Sequence, residues 1–413
     1  MKQIVFYHAN CMDGTGAALA HQWAFENIVA DFVYQPINYP QASDENKFAE
    51  FLQKKEIQLW GVNEVWFLDF TPTLPVLQFL LKLGIKIFII DHHATGKEIL
   101  QNIEAMEPRP PLYNKLYYVI GDSDEFSGAY LTHLFQDQLF RFASMTRDND
   151  PIKLFHRLPG RIGDSVIVTN LIELKTPHCQ TANGYNLLRV RDCWDTRDKE
   201  LKAHADGFHY YCFHHGIPDH PDKLASVFRL TTVFRNEDLT PFVFRNEDLT
   251  PFIKEGQVIK SVYEKQCQKA IDVGLQTVVN TDLLNDIQVL ITVAPYDQAS
   301  LLGEMWYSKF PERPAISIGL FYNHGKATGG YGIRSNHLVN SRLIAQAVSN
   351  GGGHDRASGG PLTETLIVKG GYGYPYEQNK KLDEILYEVN QLFIDAIMKV
   401  YKQPKEVSKT ESE

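Results

Sequence analysis

Six side chains in the first hundred residues carry most of the chemistry in this sequence: His8, Asp13, Asp69, Asp91, His92 and His93. Imidazoles and carboxylates without organised thiolates suit Mn²⁺ or Mg²⁺ better than a structural zinc cage. Two ions sharing a carboxylate are the usual device for opening a phosphoester bond. A thiol lies inside the same group, because the first stretch reads His8, Ala9, Asn10, Cys11, Met12, Asp13. Far downstream stands a second set: Arg334 in YGIRSN (331–336), then Gly352, Gly353 and His354 in GGGHDRASGG (351–360). Glycines let a backbone approach a phosphate closely, while a guanidinium and an imidazole supply matching charge and donors.

The first set can act together only if the chain brings it to one edge. Apolar runs QIVFY (3–7), DFVY (31–34), EVWFLDF (64–70) and KIFIIDHH (86–93) predict strands. Between them, 15–27, 44–55 and 73–83 carry apolar residues at spacings of three and four, which predicts helices. Strands alternating with helices give an α/β fold with a parallel sheet and crossover connections. Asp13, Asp69, Asp91, His92 and His93 then follow the C-terminal ends of strands, the edge where open α/β sheets bind ligands.

A second, smaller α/β domain is expected from a helix pattern at 258–273, strand-like runs at 286–294 and 314–322, and a helix pattern at 338–348. The domain reading is 1–175 for the metal-binding domain, 176–285 for a connector or insertion, 286–400 for a substrate-binding domain, and 401–413 for a frayed polar tail. The connector is rich in His and Cys (His178, Cys179, Cys193, His204, His209, Cys212, His214, His215), but its spacings fit a zinc site poorly and favour ordinary packed or solvated side chains. It also holds an identical tandem copy, VFRNEDLTPF at 233–242 and again at 243–252. A ten-residue period is too short for a solenoid, so it is read as a duplication tolerated in a loop or helix extension.

Composition narrows the classes further. The chain has 413 residues, with 41 Lys+Arg against 50 Asp+Glu and a net charge of −9, so long nucleic acid is not held by charge and any nucleic-acid substrate is short. With 44% hydrophobic and 22% charged residues it forms ordinary globular cores. The five cysteines, Cys11, Cys179, Cys193, Cys212 and Cys267, have no recurring spacing, which points to free thiols and a cytoplasmic setting. The longest apolar stretch, 79–90, is interrupted by Lys82 and Lys86 and falls short of a membrane span, and no signal-peptide pattern is read at the N-terminus.

Taken in order, these motifs resemble the DHH phosphoesterase family. Asp91, His92 and His93 form the DHH tripeptide after an apolar strand; YHANCMDGTGAA (7–18) resembles the first motif, FLDFTP (67–72) the second, and TRDND (146–150) the fourth, preceded by the small-residue helix FSGAYLTHLF (126–135). YGIRSN and GGGHDRASGG resemble the associated C-terminal domain of the RecJ-like and oligoribonuclease branch. Inorganic pyrophosphatases share the DHH domain, but GGGHDRASGG argues against that reading.

The resemblance implies a metal-dependent hydrolase of phosphodiester or phosphomonoester bonds in short oligonucleotides or small nucleotides, with its active site between two α/β domains. It implies two Mn²⁺ or Mg²⁺ ions held by His8, Asp13, Asp69, His92 and Asp148, with Asp69 shared; Asp150 is the other candidate in the fourth motif. His93 would contact the scissile phosphate, Asp91 would orient a neighbouring imidazole, and Arg334, Gly352, Gly353 and His354 would hold the rest of the substrate. No membrane partner is implied, and a homodimer is the assembly to test for. The chain departs from the family where Cys11 stands in place of the first acid of the first motif. Cys11 ligating as thiolate, Asn10 donating its carbonyl oxygen, and one weakly held ion are all open at this point. The alternative function is a nucleotide- or oligonucleotide-binding protein that kept the fold and lost turnover.

Overall fold

The structure, a computed structural model, describes residues 2–25, 31–106, 110–122, 125–135, 161–162, 165–167, 184–193, 195, 197–230, 246–295, 298–323, 328–349, 351–362 and 382–402. The chain divides into two compact units, Met1–Lys260 and Ser261–Glu413.

The first unit is built on strands β1 (Lys2–His8), β2 (Asp31–Ile37), β3 (Val62–Leu68), β4 (Lys86–Asp91), β5 (Leu116–Ile120), β6 (Arg161–Ile162) and β7 (Ser165–Ile167), in the order β2-β1-β3-β4-β5-β7-β6. All neighbours pair in parallel except β6 with β7. Such strands must bury both faces, and the central strands β1, β3, β4 and β5 do. Val5, Tyr7, Trp66, Leu68, Phe88 and Ile90 belong to one apolar layer, while Ile4, Phe6, Val65, Phe67, Ile87 and Ile89 belong to the other. Helices α2 (Glu45–Lys54), α3 (Leu74–Lys82) and α4 (Ala94–Glu104) cover the second layer through Phe48, Phe51, Leu77, Leu80, Leu100 and Ile103. The apolar stretch 79–90 splits at Gly84, whose φ of +79° turns the end of α3 into β4. Among the described residues no helix is long and apolar enough to cross a membrane.

The other layer is closed by α1 (Met12–Phe25), by the helix α5 over 128–135, and by three helices from the segment expected to be a connector. These are α6 (Gly184–Asp192), α7 (Lys199–His214) and α8 (Pro221–Leu230), which bury Tyr185, Leu187, Leu188, Phe208, Cys212 and Phe228 in the first unit's core. The segment is therefore structural substance of that unit. Helix α9 (Asn246–Val273) opens inside the second copy of the duplicated decapeptide and buries Leu249 completely. The first copy lies outside the described residues, as do Cys179 and His178.

In the second unit the sheet order is β12 (Gly352–Gly353), β13 (Ala357–Pro361), β11 (Thr328–Ser335), β10 (Ala315–Asn323), β9 (Asn285–Val293) and β8 (Leu275–Thr281), with only β9 and β10 parallel. One face packs Ile287, Val289, Ile316, Ile318 and Ile333 against helices α11 (Ser341–Ser349) and α12 (Leu382–Val400), while α10 (Ala299–Tyr307) precedes β10 in the chain. A mixed α/β architecture with a mainly parallel sheet and a second sheet is what the sequence pattern predicts.

Candidate metal centre

Strand order decides where the site forms. The chain leaves β1 for β2 on one side and returns to β3 on the other, so the strand order reverses between β1 and β3 while the strands stay parallel. Ligands bind outside the C-terminal strand ends at such a reversal. His8 ends β1, Asp69 directly follows β3, and Asp91, His92 and His93 end β4 and lead into α4.

Asp69 is wholly buried at a φ of +55°, a left-handed conformation that is uncommon outside glycine. Its amide donates to the Ile90 carbonyl at 2.8 Å, which holds the turn. Strain of this kind, kept in place by surrounding structure, concentrates at functional sites. Gly128, at the start of α5, lies so close that a Cβ there would stand 2.5 Å from Asp69 Cβ and Oδ1.

Asp13 sits in the first turn of α1, where the helix dipole favours a carboxylate. It also accepts the amides of Gly128 and Ala129, the latter at 3.0 Å, so two helix starts converge on it. Asp192 ends α6, a helix buried nearly all round, and its fixed packing carries the carboxylate to the same place. Sequence reading passed over Asp192, because RVRDCWD carries no recognisable spacing to the other ligands. Asp148 and Asp150 lie outside the described residues.

The result is a crowded anionic pocket. His92 Nε2 lies 3.1 Å from Asp69 Oδ1, 3.4 Å from Asp192 Oδ2 and 3.5 Å from Asp13 Oδ2. His8 Nδ1 stands 3.5 Å from Asp69 Oδ2. Asp91 is differently occupied. It accepts from the Thr71 hydroxyl at 2.6 Å, the His92 amide at 2.7 Å, and His93 through its amide at 3.2 Å and its Nδ1 at 2.7 Å. It is a support for the DHH loop and the His93 ring. Tyr39 packs edge-on against both His8 and His93 and limits their rotation.

Protonation follows from this crowding. Burial opposes charge on His92, but the Asp69 hydrogen bond and the charges of Asp192, Asp69 and Asp13 outweigh it and push the imidazole up to about 10. Burial would also raise Asp69, yet the adjoining imidazoles of His8 and His92 and the charges of His93 and His92 hold it well below the carboxylate range. Asp13 goes the other way: burial and the charges of Asp69 and Asp192 raise it well above that range. Burial, with Asp69 adding to it, likewise raises Asp192. Burial and the three carboxylates push the Cys11 thiol well up.

One protonated imidazole does not satisfy three carboxylates. Asp69 Oδ2, Asp192 Oδ2 and His8 Nδ1 are buried with no hydrogen-bond partner among the described residues. Their donor chemistry, oxygen and imidazole converging within reach of one another, fits divalent cations. Within the first unit two triads have ligand atoms mutually within 4.8 Å: His8, Cys11 and Asp69, and Asp13, His92 and Asp192. A further group of the same kind is Asp69, Asp91, His92 and His93.

The substrate-binding residues expected in the second unit are placed within its own sheet. Arg334 lies on β11, with Nε donating to Ser300 Oγ at 3.1 Å and Nη1 to the Ile333 carbonyl at 2.9 Å. Gly352 and Gly353 form β12 and pair with Gly359 and Ser358. The Gly351 amide bonds the Ala345 carbonyl at 3.0 Å, and the His354 amide that of Ala357 at 2.8 Å. Elsewhere, Cys212 is buried in the core and His209 packs against Phe213.

No family model matches the chain, and no curated protein does. Solved structures do resemble it. RecJ from Thermus thermophilus in complex with Mn²⁺ is 11% identical, covering 98% of this chain and 53% of that one, with a TM-score of 0.45. An exonuclease RecJ bound to manganese is 12% identical over 96% of this chain and 91% of that chain, TM-score 0.41. The pGpG-specific phosphodiesterase PggH from Vibrio cholerae is 11% identical over 95% and 99% of the two chains, TM-score 0.33.

Proposed function

We propose that this chain is a metal-dependent phosphoesterase of the DHH type that hydrolyses short oligonucleotides or small nucleotides. The observation that supports it most is the meeting of three carboxylates on one imidazole nitrogen, with Asp69 Oδ2 and Asp192 Oδ2 buried and, among the described residues, held only by ion-pair contacts to His8 and His92 at the point where the strand order of a parallel sheet reverses. A pocket of that charge asks for cations, and the substrates of such cations are anionic.

Two ions of the Mn²⁺ or Mg²⁺ class are proposed, with His8 and Asp69 on one side, Asp13, His92 and Asp192 on the other, and Asp69 shared. When bound, such ions polarise the phosphoryl oxygens and lower the pKa of the attacking water. The chain's own groups do the rest. Asp91 fixes the His93 ring through Nδ1 beside the carboxylates, where it would contact the phosphate. The Asp69 turn and the two helix starts at Asp13 hold the carboxylates before any ion arrives, so little reorganisation is needed. A net charge of −9 favours short anionic substrates over long ones. A reducing, cytoplasmic setting keeps Cys11 a thiol.

The Cys11 departure motivates the second reading, a nucleotide-binding protein without turnover. Purified protein with Mn²⁺, offered di- to pentanucleotides, longer single strands, cyclic dinucleotides, an adenosine bisphosphate and pyrophosphate, separates the two. Turnover of a short nucleotide substrate that stops on chelation is expected. Binding without turnover across the panel sinks the enzymatic reading, and turnover of pyrophosphate alone moves the assignment to a pyrophosphatase.

A further inference from the structure

The two triads differ in donor chemistry. Asp13, His92 and Asp192 offer two carboxylates and an imidazole, whereas His8, Cys11 and Asp69 place a thiol sulfur with an imidazole and a carboxylate, all within 4.8 Å. The sulfur does not stand alone. Asp69 Oδ2, on a side chain only 1% exposed, lies in the same triad and has no hydrogen-bond partner among the described residues. The Cys11 backbone is fixed too, since its carbonyl accepts the Thr15 amide at 3.0 Å as the cap of α1, which aims the side chain from the helix start.

We propose that the centre is chemically asymmetric: the half formed by His8, Cys11 and Asp69 takes a thiophilic borderline ion of the Zn²⁺ class, while Asp13, His92 and Asp192 take a hard ion such as Mn²⁺. Thiolates select zinc-like ions, and carboxylates suit manganese and magnesium. On binding, the Cys11 S–H bond is replaced by a sulfur–metal bond and the proton passes to solvent, with no change of oxidation state. This rests on the two-ion reading above and changes the ion assigned to one half of it, because restoring hard donors throughout would make the halves alike.

The test uses the full chain stripped by chelator and titrated with Co²⁺, a spectroscopic stand-in for Zn²⁺. A near-ultraviolet sulfur-to-cobalt charge-transfer band is expected, displaced by Zn²⁺ and not by equimolar Mn²⁺. Cys11→Ser removes the band and weakens zinc binding about tenfold or more, while the second ion still binds. Dialysis against both ions leaves one zinc and one manganese per wild-type chain, and Cys11→Asp shifts that ratio towards manganese. Should Cys11→Ser fail to fold, alkylation of the wild type decides, with Zn²⁺ protecting the Cys11 peptide and Mn²⁺ not. Cobalt bound without a sulfur band, or alkylation of Cys11 unaffected by zinc, overturns the asymmetric centre and leaves the phosphoesterase intact. Failure to bind any divalent ion overturns both.

Discussion

The strand ends of the first unit and the Arg334–His354 region of the second carry the same kinds of residue, yet they use them oppositely. In the first unit, Asp69 Oδ2 and Asp192 Oδ2 are buried without a hydrogen-bond partner among the described residues, and three carboxylates crowd one imidazole. In the second, the Arg334 guanidinium donates to Ser300 and to its own strand, and the Gly351 and His354 amides close backbone bonds. A folded chain satisfies its buried polar groups unless something else is to satisfy them. The first region presents its polar atoms to a ligand; in the second, Arg334 Nε and Nη1 and the Gly351 and His354 amides are committed to its own architecture.

The largest effect is expected at Asp69. Asp69→Asn keeps a residue tolerant of the left-handed turn and removes the charge, so hydrolysis should fall about 100-fold or more, beyond what losing a supporting partner costs, with the melting temperature little changed. Activity equal to wild type at saturating Mn²⁺ would mean that the crowded carboxylates are not an ion site.

Asp192 comes next, and it sharpens the comparison by asking which acid completes the centre. Asp192→Asn should lower activity by roughly 10- to 100-fold and raise the Mn²⁺ needed for half-maximal rate. Activity and Mn²⁺ demand equal to wild type would take Asp192 out of the centre and leave that place to Asp148 of TRDND.

Arg334→Ala tests the other side. Losing its bonds to Ser300 on α10 and to its own strand should lower unfolding free energy by about 1 to 3 kcal/mol, with activity on oligonucleotides and on a small chromogenic phosphodiester changing in equal proportion. A selective loss of roughly tenfold on oligonucleotides alone would instead give Arg334 the substrate-holding role implied by its motif, and the contrast between the two regions would fail.

The smallest effect belongs to the deletion of one copy of the duplication. Leu249 is fully buried in the first unit's core, so Leu249→Ala should cost about 2 to 5 kcal/mol. Deleting 243–252 is another matter, because it places the identical first copy directly before Ile253 and restores the same start to α9. Thermal unfolding of the deletion should match wild type within about 0.5 kcal/mol. A larger drop would show that both copies are needed.

Much of the first unit was legible because its signals are local. Alternating apolar patterns and apolar spacings of three and four give β1, β3, β4 and the intervening helices within a few residues, and the DHH run after an apolar strand fixes where the imidazoles emerge. The residues 184–230 were not legible in this way, since helices α6 to α8 are recognised as core only once Leu188, Phe208 and Phe228 are seen buried against the sheet.

The sequence by itself therefore determined the element types, the parallel sheet, and which of His8, Asp13, Asp69, Asp91, His92 and His93 share an edge, because strand and helix periodicity and strand-end position are properties of a chain segment. Only the tertiary structure decided that Asp192 joins Asp13 and His92, and that Arg334 bonds to Ser300 on α10 and to its own strand. Those depend on strand order and on how helices pack against the sheets, where distance along the chain says nothing about distance in space.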